Sequence, residues 1–154
     1  MNKENYMKLA LNHAEITMEQ GFGGPFGAVV VKDGQVLSVE SNTVLRDNDP
    51  IAHAEINAIR KACKLLGTYD LSGCELYATG YPCPMCLSAI MWAGIKKVYF
   101  AEDVSTAANI GFIDQFIYDW IDDPDSEALE LEHFPIDGSK QLYDRYVKSH
   151  SVIY

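Results

Sequence analysis

Two short fragments hold the residue types that bond-breaking chemistry needs: His53-Ala54-Glu55 and Pro82-Cys83-Pro84-Met85-Cys86. One imidazole and two thiolates supply three ligands to a borderline-soft metal and leave a fourth position open. Structural zinc sites usually close all four positions with protein, whereas catalytic ones keep one for water. The other two cysteines, Cys63 and Cys74, sit among apolar neighbours without ligand-like spacing and read as small buried hydrophobes. The count therefore favours an open site. Zinc suits this donor set best, although iron or cobalt could occupy it. Zinc brings the pKa of its water towards about 7. A carboxylate beside the metal, but not bound to it, can then carry protons from water to substrate and leaving group. Glu55 is the candidate for that task.

Such a site needs elements that bring two distant fragments together. Cys83 and Cys86 are three residues apart, so on a helix beginning near Pro82 they share a face in its first turn. There the free N–H groups and the positive end of the dipole favour thiolate. A second helix is expected from about Ile51 to Leu66, with Pro50 near its first turn and Gly67 just past its end. His53 and Glu55 are two residues apart and would point to opposite sides of a regular helix. They converge only if His53 sits at the helix entry, where the backbone is not yet regular.

Around these lies an alternating pattern. Met7, Ala10, Leu11, Ala14 and Met18 recur at helical spacing, and Gly21 closes that helix. After the glycine-rich turn 21–27, Ala28-Val29-Val30-Val31 and the run Gln35 to Glu40 flank Asp33-Gly34, which predicts a β-hairpin. Asn42 to Pro50 reads as a polar loop. Glu75 to Thr79 and Lys97 to Ala101 are further strands, separated by a helix from Pro82 to Ala93 that Gly94 ends. Helical spacing returns in Phe112 to Ile121 and is broken by the acidic run 122–125. Ala128 to Phe134 alternates like a half-buried strand, Lys140 to Lys148 forms a short amphipathic helix, and the apolar tail 151–154 is expected to dock somewhere. Strands alternating with helices imply crossovers and a sheet covered on both faces.

Composition removes several function classes. The 154 residues suit one compact domain, and no internal repeat or linker-like tract divides them. No stretch approaches the roughly 18 apolar residues of a membrane span, and no secretory apolar region follows the polar start, so a cytoplasmic protein is expected. The net charge of −10 disfavours nucleic acid as a partner, and Arg60, Lys61 and Lys64 read as few and scattered. A small-molecule partner fits better. His13, His133 and His150 read as solvated or satisfied histidines rather than ligands. A redox role for Cys83 and Cys86 leaves His53-Ala54-Glu55 without a purpose, and a zinc-stabilised binding protein without turnover leaves Glu55 without one and calls for a fourth protein ligand.

The pairing of H-x-E with P-C-x-x-C is the signature of zinc deaminases. The chain resembles the cytidine-deaminase-like superfamily and, within it, the bacterial guanine deaminases. The resemblance runs through Gly23 to Ala28, Asn48-Asp49-Pro50, His53 to Lys64, Pro82 to Leu87, Gly111-Phe112, Asp114 and Phe116-Ile117-Tyr118. It implies an α/β fold, a three-layer α/β/α sandwich around a central mixed five-stranded sheet. It also implies a single domain over residues 1–154 that acts as a homodimer, with the C-terminal tail exchanged between subunits. Zinc on His53, Cys83 and Cys86 would hold the hydroxide that attacks guanine, giving xanthine and ammonia, with Glu55 as proton shuttle. Substrate contacts are implied at Asn42, which hydrogen-bonds the base edge, and at Phe26 and Trp92, which wall the pocket. Further contacts are implied at Asp114, towards the amino group, at Tyr154, which closes the pocket, and at Ala54. Tyr81 departs from the glutamate usual before the Pro-Cys pair. That leaves cytosine, guanosine or adenosine in transfer RNA as alternative substrates.

Overall fold

The computed structural model describes residues 1–124, 127–149 and 152–154. The expectations for Asp125, His150 and Ser151 lie outside the described residues. The chain divides into two compact units, Met1–Asp114 and Gln115–Tyr154.

In the first unit, α1 (Lys3–Glu19) starts where the Asn2 side chain accepts the Asn5 N–H at 2.9 Å. It ends before Gly21, which takes φ +75°. Its buried stripe is Tyr6, Ala10, Ala14 and Thr17, whereas Leu11 stays 56 % exposed. The expected stripe through Leu11 and Met18 is thus rotated. The reason is close packing: small residues let the helix backbone approach the sheet, and a side chain on Gly27 would collide with the Ala10 carbonyl.

β1 (Gly27–Lys32) and β2 (Gln35–Ser41) form the expected hairpin. Its two turn residues, Asp33 and Gly34, both have positive φ, as a two-residue turn matching strand twist requires. The loop after β2 is less plain than its composition, since it holds a short helix α2 (Val44–Asp47). α3 (Ala54–Leu66) then leads to β3 (Cys74–Gly80), and α4 (Pro84–Trp92) leads to β4 (Lys97–Glu102). β1 pairs antiparallel with β2 and β3, and β3 pairs parallel with β4, in the order β2-β1-β3-β4. α4 is the crossover that a parallel β3–β4 pair needs. α5 (Val104–Asn109) follows β4.

Strand alternation splits the core into two faces. Ala28, Val30, Leu76 and Ala78 meet Ala54, Ala58 and Ala62 of α3 and Ile90 of α4. Val29, Val31 and Tyr77 meet Tyr6 and Ala10 of α1. The unit is therefore the three-layer α/β/α sandwich expected, with a mixed sheet. Cys63 and Cys74 join the α3 face as apolar residues, and burial pushes both thiols up.

The second unit contains α6 (Gln115–Asp122) and α7 (Ser139–Ser149), and neither buries a residue. Within it, Trp120 Nε1 donates to Leu129 O at 2.7 Å and Tyr146 Oη to Val152 O at 2.7 Å. Two expectations are corrected here. Among the described residues the sheet has four strands, not five, and 128–134 is no strand. Alternation of leucines with acids is a local signal, whereas a ladder needs a neighbouring strand, and among the described residues of this unit the regular elements are helices. Among the described residues, no helix is long and apolar enough to cross a membrane.

Candidate metal centre and active site

Both chemical fragments sit at helix starts on the same face of the sheet. α3 begins later than Pro50 suggests: the Asp49 carboxylate accepts the Ile51 N–H at 2.9 Å, and Ala52 N–H donates to Asp49 O at 3.1 Å. That turn ejects residues 50–52 from the helix. His53 becomes the N-cap, with extended backbone at φ −70° and ψ 156°. Its carbonyl accepts the Asn57 N–H at 2.9 Å, closing the first helical turn. This irregular entry is the condition under which His53 and Glu55 converge. α4 starts in the same manner. Cys83 is its N-cap with φ −66° and ψ 168°, Pro84 opens the helix, and Cys86 lies one turn on.

His53 Nδ1 lies 3.6 Å from Cys83 Sγ and 3.6 Å from Cys86 Sγ. The three donor atoms all fall within 4.8 Å of one another. Tetrahedral zinc, with Zn–S about 2.3 Å and Zn–N about 2.05 Å, sets a sulfur–nitrogen separation of about 3.6 Å. The donors fit zinc both in kind and in spacing. Among the described residues, they are the one such group of three.

Glu55 stands next to this group but outside it. It is 8 % exposed, and its Oε2 receives a hydrogen bond from Cys86 Sγ at 3.5 Å. Burial pushes its carboxyl above the usual carboxylate range. Hydrogen bonding from Cys86 holds the Cys83 thiol down, to about 4, with His53 assisting. Sharing its proton with Cys83, together with burial, pushes Cys86 up. The Cys83 contact raises His53. The lowering of the Cys83 thiol favours thiolate, the form in which cysteine holds a metal.

The residues expected to touch a substrate divide into groups. Asn42 is buried at the end of β2; its N–H donates to Phe26 O at 3.0 Å, and its Oδ1 accepts the Val44 N–H at 3.1 Å. Gly23 packs so closely on Asn42 that a side chain there would strike its amide oxygen. Phe26 is half-buried and meets Phe112 edge to face, with centroids 5.0 Å apart. Asp114 is half-buried; burial raises its carboxyl, and so does the charge of Cys83. Ala54 is fully buried beneath the α3 entry. Trp92 ends α4 at 74 % exposure. Tyr154 belongs to the second unit and is exposed. Tyr81 stands before the Pro-Cys pair, edge to face with Phe100 at 5.0 Å.

Asn57 was not singled out from sequence. Its Nδ2 lies 2.9 Å from Ser41 O, 2.9 Å from Thr43 Oγ1 and 3.3 Å from Ala52 O. It thereby ties the segment carrying Asn42 to the segment carrying His53. The available signal was an asparagine inside a helix, a position that this residue type disfavours.

Comparison with known proteins agrees with this geometry. Residues 1–102 match the family model described as the cytidine and deoxycytidylate deaminase zinc-binding region. A guanine deaminase of Bacillus subtilis is 52 % identical over 127 residues, covering 82 % of this chain and 81 % of that protein. An X-ray structure of guanine deaminase from the same organism superimposes with a TM-score of 0.93 at 42 % identity, covering 100 % of this chain and 99 % of the other. A tRNA-specific adenosine deaminase of Aquifex aeolicus is 36 % identical over 150 residues, 96 % of this chain and 95 % of its own.

Proposed function

The chain belongs to the cytidine and deoxycytidylate deaminase family, and on that premise we propose that it hydrolyses guanine to xanthine and ammonia. The observation that carries this reading is the pair of helix starts that sets His53, Cys83 and Cys86 at zinc-ligand spacing beside a buried Glu55. The substrate choice rests on likeness to the Bacillus guanine deaminase over four-fifths of both chains. His53 Nδ1 and the two sulfurs would hold the ion. When bound, zinc supplies a water activated for attack at neutral pH.

The chain's own residues do the rest. Glu55 accepts a proton from the attacking water and delivers it to a ring nitrogen of guanine. The new carbon–oxygen bond forms at the carbon bearing the amino group. Glu55 then passes the second proton to that amine, the carbon–nitrogen bond breaks, and ammonia leaves. Asn42 positions the base edge, and Phe26, Trp92 and Ala54 shape the pocket. Asp114 accepts from the substrate amino group. The net charge of −10 weighs against a transfer RNA substrate. The test is ammonia release by the zinc-loaded protein with guanine, guanosine, cytosine, cytidine, adenine and adenosine. Turnover of guanine is expected. Turnover of another member in its place would discard the substrate and keep the reaction.

We further propose that the protein works in the cytoplasm as a homodimer that exchanges residues 115–154, with Tyr154 closing the partner's site. Support comes from the second unit's apolar side chains, among them Leu131, Phe134, Val147 and Ile153, all at least 69 % exposed. Such a density of exposed apolar residues marks an interaction surface. Neither a Glu55→Gln chain nor a Tyr154→Ala chain should deaminate well alone. Co-refolded, they should regain activity, because a hybrid dimer holds one site with Glu55 in one subunit and Tyr154 from the other. No recovery in verified hybrids would rule out the exchange.

A further inference from the structure

One cluster of cations includes no residue given a part in the reaction above. The cations that look scattered in sequence share one face of α3, because residues 57, 60, 61 and 64 are linked by i,i+3 pairs (57/60, 61/64) and i,i+4 pairs (57/61, 60/64). Asn57, Arg60, Lys61 and Lys64 form one side of a cavity of about 430 Å³. Arg46 from α2 and Glu40 from β2 complete it. Four cations thus face one carboxylate, in a chain carrying only 12 lysines and arginines against 22 acids.

The acids around this cavity do not use up its charge equally. Glu40 holds Lys61 at 2.5 Å, and Asp47 binds the Arg46 guanidinium through two hydrogen bonds of 2.7 and 3.0 Å. Arg46 also lies over the Phe22 ring, which fixes its plane. Arg60 has only a long contact to Asp49 at 3.8 Å, and Lys64 has no ion pair among the described residues. Arg60 and Lys64 are four residues apart and Lys61 and Lys64 three, and like charges at both spacings destabilise a helix. The arrangement costs the isolated protein stability that an anion between them would restore.

We propose that this cavity binds the phosphate group of a small phosphorylated molecule, with Arg60 and Lys64 as the principal contacts and Arg46 and Lys61 flanking them. Guanidinium forks and ammonium groups arranged around a concavity suit a multiply charged oxyanion. A short, open concavity on an acidic molecule suits a compact ligand better than a long polyanion, which would meet the surrounding negative field.

The test is isothermal titration of the zinc-loaded full chain with pyrophosphate at low salt, in the parent and two double variants. The pocket variant is Arg60→Gln with Lys64→Gln. The control is Lys8→Gln with Lys148→Gln, which removes the same charge elsewhere. Expected are one saturable site per chain, at least tenfold weaker binding in the pocket variant, and little change in the control. All four side chains are exposed, so circular dichroism should show an unchanged fold. Absence of binding in the parent would overturn the proposal, as would equal losses in the two variants. A single-stranded RNA that binds more tightly than pyrophosphate and loses affinity in the pocket variant would reassign the cations to a nucleic-acid backbone.

Discussion

Glu55→Gln is expected to keep zinc and lose turnover, with kcat for guanine falling by about 10²–10⁴-fold, the contribution of a positioned acid–base group. The substitution preserves shape in a buried position and removes only the ability to accept and return a proton. Zinc should stay, because Glu55 lies outside the three mutually close donors His53, Cys83 and Cys86. KM should change little, because the substrate contacts proposed above lie at other residues. Metal analysis alongside steady-state kinetics separates the outcomes. Normal turnover would show that another group moves the protons. Loss of zinc together with activity would make Glu55 a metal-holding residue. A binding protein with a structural zinc site predicts neither pattern, since it gives a buried carboxylate beside the metal nothing to do.

Much of this site was legible because its determinants are local. Cys83 and Cys86 are brought together by their spacing, although the helix starts at Pro84, two residues later than the Pro82 signal implies, and leaves Cys83 as its N-cap. Asp33-Gly34 dictates the hairpin because both residues must adopt positive φ. The valines of β1 fall on alternate faces, so two buried faces, and hence three layers, follow from the pattern. What escaped depends on contacts between segments. The true start of α3 is set by the Asp49 side chain capping a turn, a competitor that the Pro50 signal hides. The buried stripe of α1 runs through alanines, not through its larger apolar residues, because the close approach to Gly27 selects small side chains. Asn57 gains its role from three carbonyl and hydroxyl partners up to sixteen residues away. Arg46 joins the cations of α3 only through the fold. Residues 128–134 show the opposite error, where alternation suggests a strand that has no neighbour among the described residues of its unit.

Cys86→Ser should abolish activity by a different route, through the metal. Cys86 is fully buried in the first turn of α4, 3.6 Å from His53 Nδ1, so its sulfur cannot be replaced by a neighbouring side chain without moving the helix. A serine hydroxyl is shorter, harder and far more weakly acidic than a thiol, and it offers zinc a poor ligand at neutral pH. Loss of residues that merely orient a ligand already costs zinc proteins about 10–100-fold in affinity, so loss of the ligand itself should exceed about 100-fold. The fold should survive: α4 is anchored on the sheet by Ile90 and followed by the buried Ala93 and Ile95, none of which touches the metal chemistry. A buried hydroxyl without its partner costs about 1–3 kcal/mol, a shift that thermal unfolding resolves. The decisive comparison is recovery after chelation. Parent protein stripped of metal should regain turnover on adding zinc at one equivalent, whereas Cys86→Ser should remain inactive at that concentration with its secondary structure intact. If the variant took up zinc as tightly as the parent and turned over guanine, Cys86 would not be a ligand, and the metal would need a donor other than the three that converge here.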